Sequence, residues 1–280
     1  MVNVGTGTLN EEPPELGTRN RELGTTAMEA YMTDHHCAGL RVAITGGTSG
    51  LGRALVRELI DRGADVAFVA RHRDAVEQVA RDTGAHGIVG DVSRKDDIHP
   101  IAIQILAALG GVDVLVNNAS SLGPVPLVPL ADTECEDFEL ALDTNVLGPF
   151  RLTKTLLGSL AASAREGRQP LIINISSDAA VTPYPNWGAY GASKAALQHL
   201  SRIWNAELNE EGIHVIAVDP GDMDTPMHAL AIPEADPASL KRPADSAREI
   251  ADLIASASAK ATADRSMQRP THDVEVEVAS

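Results

Sequence analysis

Short, almost wholly apolar runs alternate along this chain with longer segments whose apolar residues recur every three or four positions. The apolar runs are V-A-I-T (42–45), D-V-A-F-V-A (65–70), H-G-I-V-G-D (86–91), V-D-V-L-V-N (112–117), L-I-I-N-I (171–175) and H-V-I-A-V-D (214–219), all of strand length. Residues 50–62, 73–82, 95–109, 134–164, 187–211 and 243–258 carry helical spacing. In the first of these, Leu51, Leu55, Leu59 and Ile60 form one stripe. Strands that alternate with amphipathic helices predict βαβ units, hence an α/β fold with a parallel sheet and helices on both faces. No internal repeat and no shift in composition marks a second domain, so residues 39–258 read as one catalytic-size unit.

The flanks have little periodicity. Residues 1–38 are rich in Gly, Thr, Glu and Pro and read as a disordered extension. Met28 and Met32 stand just ahead of the expected domain, and either can be a natural start. Asp34, His35, His36 and Cys37 are adjacent but have no second cluster to complete a cage, so no metal site is expected. The tail 259–280 is polar. Its alternating Val274, Val276 and Val278 fit an edge strand or a frayed terminus, the latter preferred.

Composition narrows the class. Of 280 residues, 44% are hydrophobic but only 3% aromatic, so the core must be aliphatic, as under a parallel sheet. The net charge of -16 argues against nucleic-acid or anionic-membrane partners. Two distant cysteines, Cys37 and Cys135, suit a reducing cytoplasmic setting. No apolar run approaches the length of a membrane span, and the N-terminus is unlike a signal peptide.

Chemistry concentrates in residues 174–194. Tyr190 and Lys194 are four apart, so on a helix they share a face. A cation beside the phenol would favour the phenolate and lower its pKa towards the range of an acid/base catalyst. Ser177, brought to the same place, could hold a carbonyl oxygen. Together these are parts for reducing C=O or oxidising CH–OH, although a Tyr–Lys pair alone also fits a solvated helix face.

At the other end, T-G-G-T-S-G-L-G (45–52) lies between a strand and a helix. Gly46, Gly50 and Gly52 there allow a tight turn and close approach to a pyrophosphate, which the helix N-terminus would attract. The second strand ends in Arg71, His72 and Arg73, with no acid to grip a ribose 2′-OH. Arg71, supported by His72 or Arg73, can instead pair with a 2′-phosphate, which favours NADP(H) over NAD(H). The alternative is that these residues only begin a solvated helix. Asp91 can accept from an adenine amino group with Val92 over the ring, or simply cap the next turn. Asn117 and Asn118 can tie neighbouring strands together beside the same cleft.

T-G-G-T-S-G-L-G, G-D-V, N-N-A-S, Ser177 with Tyr190, Y-G-A-S-K and P-G-D-M-D-T occur in an order and spacing that resemble the short-chain dehydrogenases/reductases over about residues 38–256. The resemblance implies a single doubly wound Rossmann-type domain. It implies Tyr190 as general acid/base, Lys194 on the nicotinamide ribose, Ser177 on the substrate carbonyl and Asn145 holding a water in a proton relay. It carries over cofactor contacts at Thr48, Ser49, Leu51, Ala119, Pro220, Gly221 and Thr225, with Tyr190 and Lys194 beside them. The expected activity is NADP(H)-linked reduction of a ketone or aldehyde, or the reverse oxidation of an alcohol. A non-catalytic NADP(H)-binding regulator is the alternative.

Three departures stand out. Ser120 replaces the usual glycine of N-N-A-G. No match to the family's last strand follows residue 258, so a homodimer through 134–164 and 187–211 is expected before a tetramer. The lead 1–38 is absent from the common pattern. Substrate walls are expected from 120–130, 178–187 and 222–242, with Asp222 and Asp224 more apt to cap a lid helix than to face the pocket.

Overall fold

In the computed structural model, residues 37–267 are described, and the side chains as far as 258. The disorder expected for the lead therefore lies outside the described residues, as does the valine alternation near the C-terminus. Cys37, placed in the lead by its sequence, is buried in the core, so packed structure is already present there.

Six strands form the sheet: β1 (Arg41–Thr45), β2 (Asp65–Ala70), β3 (His86–Val89), β4 (Val114–Asn117), β5 (Leu171–Ile175) and β6 (His214–Val218). Their order is β3-β2-β1-β4-β5-β6, and every pairing is parallel. This is the doubly wound Rossmann-type arrangement. Val42 lies opposite Val66 on one side and Val114 on the other. Because β1 is central, the chain reverses its direction of travel across the sheet there, and a crevice opens at the strands' C-terminal ends between β1 and β4.

The helices are α1 (Gly50–Asp61), α2 (Arg73–Thr83), α3 (Lys95–Leu109), α4 (Cys135–Leu142), α5 (Gly148–Arg165), α6 (Gly188–Leu208), α7 (Pro226–Ala231) and α8 (Pro243–Met267). Strand side chains alternate between faces, and two aliphatic cores result. Ile44, Phe68 and Ile173 pack with Leu55 and Leu59 of α1 and Ile250 and Ile254 of α8. Ala43, Leu115 and Ile172 pack on the other face with Ile101 and Ile105 of α3 and Leu152, Leu156 and Leu160 of α5. Burial on both faces explains why the strands read as continuous apolar runs.

Three differences from the sequence reading bear on function. The helix expected over 134–164 is broken by a π-turn at Asp143–Leu147. Pro149, at the start of α5, has no N–H to return to the carbonyl four residues back, which is that of Asn145. The Gly148–Pro149 pair was the legible signal for this break. The segment 222–242, outside every helical span given above except as the site of a lid helix, contains α7, and α8 runs nine residues beyond its expected end at 258.

Candidate functional site

Thr45 closes β1 and organises the glycine turn. Its Oγ1 accepts from the backbone N–H of Asn118 and of Ala119, both at 3.0 Å, while Gly46 N–H donates to Val69 O at 2.8 Å. Gly46 and Gly50 have φ of +72° and +48°, where side chains are strained. A Cβ on Gly52 would stand 2.2 Å from the Gly46 carbonyl oxygen, so only glycine permits this approach of helix to turn. Ser49 precedes α1 without a side-chain capping bond, and no acidic residue lies in the first turn. The unpaired N–H groups at this end give it a partial positive charge suited to a diphosphate.

The two asparagines have separate duties. Asn118 Nδ2 donates to Thr45 O at 2.8 Å and lines the cleft. Asn117, expected at the cofactor, is turned into the sheet and absent from the cleft wall. Its Nδ2 donates to Asn174 Oδ1 at 2.8 Å and ties β4 to β5. The side chain pointing to the cleft is the neighbour, because successive strand-end residues face opposite ways. Gly47, also unforeseen, is required because a Cβ would come within 2.6 Å of Phe68.

Arg71 and His72 line the cleft beyond β2, and Arg71 has no ion-pair partner among the described residues. Arg73 does not join them. It is mostly exposed and reaches Glu77 at 3.9 Å along α2. Asp91 Oδ1 accepts from Ser93 N and Ser93 Oγ at 3.0 and 2.8 Å, which makes it a turn-former, while the residue and Val92 still line the cleft.

The reaction end is built by β5 and α6. Helical spacing puts Tyr190 and Lys194 on one buried face of α6. Lys194 Nζ donates to Ile175 O at 2.7 Å and lies 5.4 Å from the centre of the Tyr190 ring. Full burial pulls the lysine down to about 8, against the opposing pull of Asp219. The Tyr190 phenol is pushed up to about 12, chiefly by burial. Asp219 and Asp178 push the same way, and the Ser177 and Ser120 hydroxyls at the phenol oppose them. The phenol is thus raised where a lowering by Lys194 was expected: a phenolate deep in the fold loses more hydration than neighbouring groups return.

Ser177 caps a short helical turn, with its Oγ donating to Asp178 Oδ1 at 3.0 Å. Tyr184 donates to the other oxygen of Asp178 at 2.6 Å, and this bond holds the Asp178 carboxyl below its usual range. Trp187 meets the Tyr190 ring edge-on at 5.6 Å.

Asn145 is wholly buried in the π-turn and does not line the cleft. Its Nδ2 donates to Ser121 O and Ser193 Oγ, both at 2.8 Å, and its Oδ1 accepts from Ser121 N at 2.8 Å and Ser120 Oγ at 3.1 Å. The Asn145 side-chain amide therefore joins the β4 loop to α6.

One cleft of about 870 Å³ includes both ends. All three expected wall segments contribute to it, through Leu122 and Val125, Tyr184 and Trp187, and Met227 and Leu230, and Leu140 and Thr144 join from α4 and the π-turn. Pro220, Gly221 and Thr225 line it. Thr225 caps α7, accepting from His228 N at 3.1 Å, so neither Asp222 nor Asp224 has the capping role expected of it. Asp222 lines the cleft instead, and main-chain bonds join Asp222 and Asp224 to Lys241 at the base of the lid.

No group of metal-ligating side chains and no helix long and apolar enough to cross a membrane occurs among the described residues.

A family model described as short chain dehydrogenase matches residues 41–235. The 2,5-dichloro-2,5-cyclohexadiene-1,4-diol dehydrogenase of Sphingobium indicum is 35% identical over 192 residues, which are 68% of this chain and 75% of the relative. The 3-ketoacyl-(acyl-carrier-protein) reductase from Brucella melitensis, solved with NADH, superposes with a TM-score of 0.73 at 29% identity, over 81% of this chain and 93% of that one. A short chain dehydrogenase from Burkholderia cenocepacia, solved with NADP, gives 0.69 at 26% identity over 78% and 91%. The glycine cradle, too tight for any side chain at Gly52 and open at a helix N-terminus, fits the nicotinamide dinucleotide that such enzymes bind. Sequence, sheet order and cleft agree: the chain belongs to the short-chain dehydrogenases/reductases, oxidoreductases that interconvert CH–OH and C=O.

Proposed function

We propose that the protein is an NADP(H)-dependent reductase of ketones or aldehydes, with Tyr190 as its general acid. The carrying observation is that one cleft brings Ser177, Tyr190 and Lys194 together at the end of β5, with the glycine cradle and Arg71 at its other end. A reduced nicotinamide bound there supplies the hydride. The chain's residues hold the carbonyl and deliver the proton. Tyr190, with its phenol near 12, is protonated at physiological pH, which is the state a proton donor needs. Its proton passes to the carbonyl oxygen as the carbonyl carbon gains hydride, leaving a phenolate that the nearby Lys194 ammonium stabilises. Ser177 donates to the same oxygen once its hydroxyl turns from Asp178, to which it donates at 3.0 Å without substrate.

Arg71 supports the NADP(H) preference, since it lines the cleft and no acid stands beside it. The wall of Leu122, Val125, Leu140, Trp187, Met227 and Leu230 favours a compact apolar substrate, while Asp178 and Asp222 disfavour an anionic one. The Sphingobium relative, named for a cyclohexadiene diol, supports an uncharged ring-sized substrate. The stacked Phe150 and Trp204, with Leu147 at the end of the π-turn and Ile203 on α6 exposed, support a homodimer. Unpaired Cys37 and Cys135 support a cytoplasmic setting.

The test is NADPH oxidation against a panel of cyclic ketones, aldehydes and quinones, with NADH in parallel. Tyr190→Phe should lower turnover by about 10²- to 10⁴-fold while NADPH binding, read by fluorescence titration, stays within about twofold. Full activity in that variant would remove Tyr190 from the mechanism, and binding without turnover by the wild type would favour a regulator.

A further inference from the structure

Ser177 and Asp178 are neighbours in the chain and share a hydrogen bond that a bound carbonyl must break. Ser177 Oγ accepts from Ala179 N at 3.2 Å, which holds the oxygen in place, and donates its one proton to Asp178 Oδ1 at 3.0 Å. A substrate carbonyl oxygen needs that same proton. When Ser177 turns to it, Asp178 Oδ1 is left without this donor. The other carboxyl oxygen keeps its own, because Tyr184 donates to Oδ2 at 2.6 Å. That bond fixes the rotation of the carboxyl, so Oδ1 stays directed at the place the Ser177 proton has left. All three residues line the cleft, and Asp178 is exposed.

The freed acceptor is close to the reacting oxygen. Oδ1 is one hydrogen bond from Ser177 Oγ, and the carbonyl oxygen is to be one hydrogen bond from the same Oγ. The two acceptors therefore lie within two hydrogen-bond lengths of each other. An oxygen on the next carbon of the substrate spans that gap, since vicinal oxygens stand about one hydrogen-bond length apart. A carboxylate only accepts, so the bridging oxygen must belong to a hydroxyl and not to a carbonyl or an ether. The Tyr184 bond holds the Asp178 carboxyl below its usual range, which keeps it in this accepting form.

We propose that Asp178 is a specificity-determining residue that accepts from a hydroxyl on the carbon beside the carbonyl, so that the preferred substrates are α-hydroxy ketones and the products vicinal diols. Tyr184 is the positioning residue for its carboxylate. The inference rests on the reductase reading, with Ser177 holding the carbonyl oxygen. Leu122, Val125, Leu140 and Trp187 make the facing wall apolar, which suits the carbon skeleton and favours a hydroxyl over an ammonium as the donor.

Three ring ketones test this with NADPH: cyclohexanone, 2-hydroxycyclohexanone and 2-methoxycyclohexanone. The methoxy compound carries the same vicinal oxygen without its proton. The wild type should favour the hydroxy ketone over both others by about five- to twentyfold in kcat/KM, the size of a charge-assisted bond at an exposed carboxylate. Asp178→Ala should bring the three within about twofold of one another, and Tyr184→Phe should lose part of the preference. Asp178→Asn, which keeps the shape without the charge, replaces the alanine variant should that one fail to fold, and should keep no more than about a threefold preference. Equal use of the hydroxy and methoxy ketones by the wild type would overturn the proposal. So would an Asp178→Ala enzyme that is slowed equally on all three, since that is what loss of a purely Ser177-orienting role would give.

A binding measurement separates this from the catalytic reading. Calorimetric titration of the same ketones into Tyr190→Phe loaded with NADP should give the hydroxy ketone a Kd about five- to twentyfold below the others, and Asp178→Ala added to that background should level them. That order in the absence of wild-type turnover would sustain the role of Asp178 while the reductase reading failed. Wild-type turnover with Kd values that do not differ, or no measurable binding of the hydroxy ketone, would refute the role of Asp178 alone.

Discussion

Tyr190 and Lys194 are buried polar side chains whose environments push their protons in opposite senses: burial disfavours the charged form of each, raising the phenol and lowering the amine. Near neutral pH the phenol therefore keeps its proton, while Lys194, lowered only to about 8, is still mostly an ammonium. Arg71 acts at the same scale but at the opposite end of the cleft, where recognition is a matter of charge. Replacing it with serine removes the one cation lining that end among the described residues. Arg71→Ser should cut the preference for NADPH over NADH by about tenfold or more, with most of the change in KM, as measured by kcat/KM for the two cofactors.

At the scale of the element, the turn from β1 into α1 shows how little room the cofactor end allows. Gly52→Ala would place a methyl 2.2 Å from Gly46 O and 2.5 Å from Asn118 Nδ2, so the turn or the helix must shift. The expected cost is about 1–3 kcal/mol in thermal or urea unfolding, with NADPH binding weakened more than tenfold. Gly158 on α5 is the control, since nothing lies within 4 Å of a Cβ there. Gly158→Ala should gain about 0.5–1 kcal/mol and leave binding alone. The π-turn at Asp143–Leu147 is the second element with a visible purpose. It places Asn145 where one amide can serve two loop backbone groups and two serines, a reach that an unbroken helix would give to other residues.

For the whole molecule, the end of the sheet remote from the cleft carries a different kind of bond. Asp113, 1% exposed, precedes β4 and accepts from Arg41 Nε at 3.1 Å, Arg41 Nη2 at 2.7 Å, Ser163 Oγ at 2.7 Å and Arg168 Nη1 at 3.1 Å. It pins β1, β4, α5 and the approach to β5 together. Burial alone would raise this carboxyl, but the Arg41 bonds, Ser163 and Arg168 together hold it below its usual range. A carboxyl with a depressed folded pKa contributes stability above the unfolded value and loses it as pH falls through the folded one. Asp113→Asn should therefore cost about 2–4 kcal/mol near pH 7, with the gap to the wild type closing as the pH drops below about 4. Urea unfolding across pH measures this, and kcat should be unchanged because the cluster lies at the far ends of the strands from the cleft.

The alternation of apolar runs and amphipathic segments determined the α/β class, the six strands and the parallel sheet, because strand and helix periods are local properties of the chain. The glycine turn, the Ser177–Tyr190–Lys194 spacing and the three wall segments were legible for a related reason: each is a short motif whose geometry follows from its own residues and the element that carries it. Other features required the chain to close on itself. Asn117 and Asn118 are indistinguishable as neighbours in a motif, and only the sheet's handedness of side chains sends one inward and one to the cleft. The sequence placed a cation beside Tyr190 but could not weigh it against burial, which depends on everything packed around the phenol. Ser120, visible only as a departure from N-N-A-G, acquired a partner when Asn145, 25 positions away, came to it. Desolvation and long-range hydrogen bonding are sums over neighbours that have no fixed spacing along the chain, so they arise only with the tertiary fold.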